Sequence, residues 1–198
     1  MTRRFSHLAV ALTMAAVLGL SNLINASPVS AREAGSVYLL RGGFNLFSFG
    51  LDVLSDKLRA QGISSTVAYY RGWPDLVTEI AERYRASRHA PVVLIGHSFG
   101  ANAVLKMAAS LNELGVPVEL IVTFDPLEDI KVTRNVRQVI NFFVGSTGSV
   151  AVLPSAAFRG TIENVDVNDL NRNLGHYNME EDEGLQKRAI GATLRAFN

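Results

Sequence analysis

From about Gly35 onward, apolar residues recur in two patterns, short unbroken runs and stripes at helical spacing. The runs are Val37-Tyr38-Leu39-Leu40, Ser65 to Tyr70, Val92-Val93-Leu94-Ile95, Val118 to Phe124, Val136 to Val144 and Gly160 to Val167. Each predicts a strand. Leu51, Leu54 and Leu58 share one helix face that stops at Gly62. A second stripe comprises Leu76, Val77, Ile80, Ala81 and Tyr84, and a third Ala101, Val104, Leu105, Ala108 and Leu111. A last helix is expected from about Glu180 to Phe197. Strands that read as continuous apolar runs and alternate with amphipathic helices predict a mostly parallel sheet of about six strands, covered on both faces in a three-layer αβα sandwich. Arg71-Gly72-Trp73-Pro74 is expected as a loop. Gly145 to Gly160 is a longer one, mobile by composition and a candidate cover for a site, although a crossover between parallel strands already needs about a dozen residues.

The first thirty residues follow a different pattern. Thr2-Arg3-Arg4-Phe5 is a basic start, Leu8 to Leu20 an apolar run, and Val29-Ser30-Ala31 fits a small-x-small cleavage site. Residues 1–31 are therefore expected to be a signal peptide cleaved after Ala31, with 32–198 a single domain and the product periplasmic or secreted. The alternative is an uncleaved membrane anchor over residues 8–24, the one route to membrane association that the sequence offers. Loss of residues 1–31 removes two arginines and no acid, so the formal charge falls from +1 to −1. No electrostatic case for a nucleic-acid partner survives. The absence of cysteine rules out disulfides, thiolate metal sites and a cysteine nucleophile together.

Chemistry concentrates in Ile95-Gly96-His97-Ser98-Phe99-Gly100. A buried strand, a turn of pattern G-x-S-x-G and a helix put Ser98 at a strained apex, where Gly96 and Gly100 leave room for the backbone. The start of the helix then faces whatever the serine attacks, with its free N–H groups and positive dipole end. This stretch resembles the nucleophile elbow of the α/β-hydrolase superfamily, and the resemblance extends in element order over most of the chain after Gly35. It implies a minimal α/β-hydrolase fold, because the superfamily's usual first two strands have no sequence here to form them.

A serine nucleophile needs a base and a group to orient it. Of the four histidines, His7 lies in the export signal, His89 lies at the opposite end of the sheet, and His97 is held inside the elbow. His176 remains, in a loop after the last strand and last in chain order, as the superfamily's histidine is. Asp125, the first residue past an apolar strand with Pro126 behind it, is the leading candidate for the orienting acid. Asp166, Asp169 and Asp129 are the alternatives. Its early position departs from the superfamily's commonest arrangement but resembles that of some lipase-like members. The oxyanion hole is expected from the Phe99 N–H and from Gly43 or Phe44.

The reaction implied is ester or thioester hydrolysis through a Ser98–His176–Asp125 triad and an acyl-enzyme, on a small-molecule or lipid-like acyl substrate, with no metal or organic cofactor. Phe44, Phe47, Phe49, Trp73, Phe99 and Phe158 are candidates for an apolar acyl pocket. The other class of function is a non-catalytic binding or scaffold protein on the same fold.

Overall fold

Two of the apolar runs lie side by side as interior strands of the sheet, β1 (Ser36–Arg41) and β3 (Val92–His97). The computed structural model describes residues 35–43, 48–87, 89–146, 148–170 and 173–198, all within the unit Arg32–Asn198. The expected signal peptide and anchor thus lie outside the described residues. So does Phe44.

The remaining strands are β2 (Ser64–Tyr69), β4 (Val118–Phe124), β5 (Val136–Phe143) and β6 (Thr161–Asp166). They form one six-stranded sheet in the order β2-β1-β3-β4-β5-β6, with every neighbouring pair parallel. The helices are α1 (Gly50–Ala60), α2 (Trp73–Ala86), α3 (Phe99–Glu113) and α4 (Glu183–Ala196). Because successive strand residues point to opposite faces, each central strand feeds two cores. Tyr38, Leu40, Leu94, Ile121 and Val139 pack with Ile80 of α2 and Val104 and Leu111 of α3. Val37, Leu39, Val93, Ile95, Val122 and Phe142 pack with Leu51, Leu54 and Leu58 of α1 and Leu185 and Ala189 of α4. These are the three layers the sequence predicts.

From β1 the chain steps outward to β2 and then returns to the other side as β3. The strand order therefore reverses between β1 and β3, where open parallel sheets leave a crevice at the carboxyl ends of their strands. Residues 42–43 and Ser98 stand at that crevice.

Three local expectations change. The segment before α2 is a 3-10 turn, Tyr70–Gly72, that runs directly into the helix, since a proline in the first turn removes an N–H that has no partner there. The last helix starts at Glu183, because the Asp182 side chain accepts the Leu185 N–H at 2.9 Å and caps it, leaving Met179–Glu181 as a separate 3-10 turn. In the 145–160 connection, Val150 and Val152 are tied down. Asn141 donates to the Val150 carbonyl (3.1 Å) and to Asn164 Oδ1 (2.9 Å), and Asn164 exchanges bonds with both backbone groups of Val152. A run rich in small residues is thus held by polar side chains of β5 and β6 that composition does not weigh.

Candidate active site

Ser98 follows the last residue of β3 and precedes α3, with backbone φ 57° and ψ −123°. A serine held in this left-handed region costs of order 1–3 kcal/mol. The surroundings hold it there: its N–H donates to the Phe124 carbonyl at 2.9 Å and its carbonyl accepts the Asn102 N–H at 3.1 Å. The flanking glycines are required sterically. A Cβ on Gly96 would lie 2.3 Å from the Gly100 carbonyl oxygen, and one on Gly100 would lie 1.9 Å from that of Leu40. α3 therefore starts hard against β1. Phe99 occupies its first position, where the N–H has no acceptor within the helix and the dipole is positive.

Asp125 follows the last residue of β4, also at positive φ (57°), with its N–H on the Phe142 carbonyl at 2.7 Å. Its carboxylate is fully buried. Oδ1 accepts the Val144 N–H at 2.9 Å and Oδ2 faces His176 Nδ1 at 2.5 Å. Burial pushes the Asp125 pKa up, but the bonds from His176, Ser149 and Val144 outweigh it and hold the group below its ordinary range. A carboxylate only accepts, so His176 Nδ1 carries the proton and Nε2 is left as the acceptor. His176 and Ser98 line one cavity of about 260 Å³ together with Gly43, Phe99, Leu127 and Tyr177. Among the described residues the carboxylate that reaches His176 is that of Asp125. Asp166 instead accepts from Gly145 and Asn168.

In the loop after β1, the Gly42 N–H donates to Ser48 Oγ at 3.0 Å. The next residue, Gly43, lies on the cavity wall, so close to Phe99 that an added Cβ would stand 3.1 Å from its ring. The expected aromatic pocket is only partly present. Phe99 lines the cavity and stacks on Tyr70 with centroids 5.4 Å apart. Phe49 belongs to a separate groove with Gly50 and Val53, while Trp73 and Phe158 pack against the core. Phe44 and Phe47 lie outside the described residues. Leu127 and Tyr177 take the places the sequence assigns to aromatics further off, because the loop after β4 and the histidine loop converge there.

Several polar residues at the site carry no mark in the sequence. His97 is buried, with Nδ1 2.8 Å from Ser48 Oγ and Nε2 2.7 Å from the His176 carbonyl oxygen. Behind it lies Glu180, fully buried, with Oε2 3.8 Å from His97 Nε2 and neither carboxyl oxygen hydrogen-bonded to another described residue. Burial pushes the His97 pKa down to about 4 and that of Glu180 up to about 7. Asn102 fixes the loop after β4: its Oδ1 accepts the Leu127 N–H (2.9 Å) and the Glu128 N–H (3.2 Å). Asn102→Ala would strand both donors, and about 2 kcal/mol of stability should be lost. Urea unfolding reads this directly, and a loss below ~0.5 kcal/mol would mean that the loop does not depend on Asn102. Among the described residues no group of three or more His, Asp or Glu side chains is placed to hold a metal ion.

Residues 53–139, which include the elbow and Asp125, match the family model described as a thioesterase domain. No curated protein matches the chain in sequence. Among solved structures, the esterase domain of a Rhodothermus marinus protein superposes with a TM-score of 0.53 at 18% identity, over 85% of this chain and 88% of that one. The type II thioesterase BorB from the borrelidin biosynthetic cluster also gives 0.53, at 13% identity over 83% and 93% of the two chains. A cutinase-like protein from Cryptococcus sp. gives 0.50, at 16% identity over 85% and 97%. At such identities the likeness is one of fold. With a parallel six-stranded sheet, a serine elbow at its reversal point and these superpositions, the chain has the α/β-hydrolase fold, and its residues 53–139 are similar to a thioesterase domain.

Proposed function

We propose that the protein is an exported serine hydrolase that cleaves ester or thioester bonds through Ser98, His176 and Asp125. The observation that carries this reading is the 2.5 Å contact between His176 Nδ1 and buried Asp125, with His176 opening on the same cavity as Ser98. His176 Nε2 takes the serine proton as Oγ adds to the acyl carbon. The carbonyl oxygen gains charge opposite the N–H groups of Phe99 and of Gly43 or Phe44. Collapse expels the alkoxide or thiolate, which leaves with the proton from His176. Water, deprotonated by the same nitrogen, then adds to the acyl-enzyme, and the acid is released as Ser98 recovers its proton. Each oxyanion donor is worth about 3–4 kcal/mol in the transition state.

The thioesterase-domain match supports ester and thioester chemistry together. Phe99, Leu127 and Tyr177, each more than a third exposed at the cavity, present an apolar rim suited to an acyl group. A fluorophosphonate probe should label the wild-type protein once, at Ser98, and leave Ser98→Ala unlabelled. Initial rates on p-nitrophenyl esters of rising chain length, set beside acyl-thioesters, then rank the substrates. Failure of the wild-type protein to label would replace this reading with that of a binding protein on a hydrolase fold. Export rests on the basic start, the apolar run and Val29-Ser30-Ala31. N-terminal sequencing of the exported protein should begin at Arg32, and a first residue within 1–24 would indicate a retained anchor.

A further inference from the structure

We infer that His97 and Ser48 form a positioning relay that holds the oxyanion loop and the His176 loop in register on either side of Ser98. The inference rests on the hydrolase reading and adds to it two residues of the cavity wall that act through the groups they hold.

The direction of every bond in the relay is fixed by chemistry. The His176 carbonyl can only accept, so His97 Nε2, 2.7 Å away, must carry a hydrogen. A neutral ring then has a lone pair on Nδ1, and Ser48 Oγ, 2.8 Å away, must donate to it. With its one proton so committed, Ser48 Oγ accepts the Gly42 N–H at 3.0 Å. The bonds therefore run one way, from Gly42 through Ser48 and His97 to the His176 backbone. Burial, which pushes the His97 pKa down to about 4, keeps the ring in the single protonated form that this order needs.

Both ends of the relay meet the machinery. Gly42 precedes Gly43 and is crowded against the nucleophile, since a Cβ there would stand 2.9 Å from Ser98 Cβ. The other end holds His176 by its backbone, while Asp125 holds it by its ring. His97 follows Gly96 and precedes Ser98, so the strand that delivers the nucleophile also delivers the group that aligns both loops with it. His97 cannot itself be the base. Its Nε2 is occupied by a carbonyl and its side chain is 2% exposed.

The test compares Ser48→Ala with Ser48→Thr, and His97→Phe with His97→Gln. Alanine and phenylalanine break the relay. Threonine keeps the hydroxyl, and glutamine offers one donor and one acceptor at a spacing close to that of the imidazole nitrogens. Readouts are the second-order rate of fluorophosphonate labelling, the labelled fraction, kcat and KM on p-nitrophenyl butyrate, and Tm. The relay predicts that Ser48→Ala and His97→Phe lower the labelling rate and kcat roughly 10- to 100-fold, as misplacement of reacting groups does. The labelled fraction should stay full and KM should move less than about threefold, with Thr and Gln recovering most of the loss. If His97→Phe does not fold, Ser48→Ala decides. A Ser48→Ala protein with wild-type labelling rate overturns the relay, as does a loss confined to Tm and labelled fraction, or one that Thr fails to recover. If the wild-type protein itself does not label, the hydrolase reading falls first and the relay with it.

Discussion

Asp125→Asn should lower kcat by about 10⁴-fold while leaving the protein folded. The two carboxylate oxygens do different jobs. Oδ1 accepts the Val144 N–H and helps fasten the end of β5, whereas Oδ2 accepts the hydrogen bond from His176 Nδ1–H. An asparagine that keeps its oxygen on Val144 presents an NH₂ group to the histidine. The ring must then turn Nδ1 into an acceptor and carry its proton on Nε2, where it no longer has a lone pair for the serine hydroxyl. The fluorophosphonate labelling rate should fall with kcat, because labelling needs the same proton transfer. Some stability should also be lost at neutral pH. Asp125 is held below its ordinary pKa in the folded state, so its contribution is present above the unfolded value and disappears as pH falls through the folded one. Asp166→Asn is the control: its carboxylate binds Gly145 and Asn168, and kcat should change less than about threefold. An Asp125→Asn enzyme with a tenth of wild-type turnover would place the orienting acid elsewhere.

The fold was legible because buried parallel strands need apolar residues on both faces, and a run such as Val92 to Ile95 has few other uses. The elbow was legible because its geometry excludes side chains at Gly96 and Gly100; Asp125 led the candidate acids because it directly follows an apolar strand with Pro126 behind it, although β6 also ends in a carboxylate, Asp166. His97, Ser48, Glu180 and Asn102 were not. Each acts on a partner far away in the chain: Ser48 lies 49 residues before His97, which lies 79 before His176. No local period marks such contacts. Glu180 stands in the acidic run Glu180-Glu181-Asp182-Glu183, which reads as a solvated surface. Only tertiary packing turns its first residue inward, against Gly50, where a Cβ would come within 2.6 Å of the Glu180 carbonyl oxygen.

Glu180→Gln should expose a pH dependence of stability that the wild-type protein conceals. His97 titrates at about 4 in the folded state, where burial disfavours its charge, and near 6.5 when unfolded. Between these values only the unfolded chain takes up the proton, so the contribution of His97 falls by about 3 kcal/mol as pH drops from 6.5 to 4. Glu180 runs the opposite way. Burial raises it to about 7 in the folded state from 4.5, so the folded chain keeps a proton that the unfolded chain has released. Its contribution is complete below pH 4.5 and is lost as pH rises to 7. From pH 4.5 to 6.5 the folded pair holds one proton, on Glu180, and the unfolded pair holds one, on His97, so the two slopes cancel. With Glu180→Gln the histidine slope stands alone, and the difference in stability between variant and wild type should change by about 3 kcal/mol from pH 6.5 to 4.5. His97→Gln leaves the acid's slope instead, so that variant should lose about as much relative to wild type as pH rises from 4.5 to 7. Urea unfolding at four pH values reads both, and differences that stay constant with pH would show that the two groups do not titrate as a buried, neutral pair.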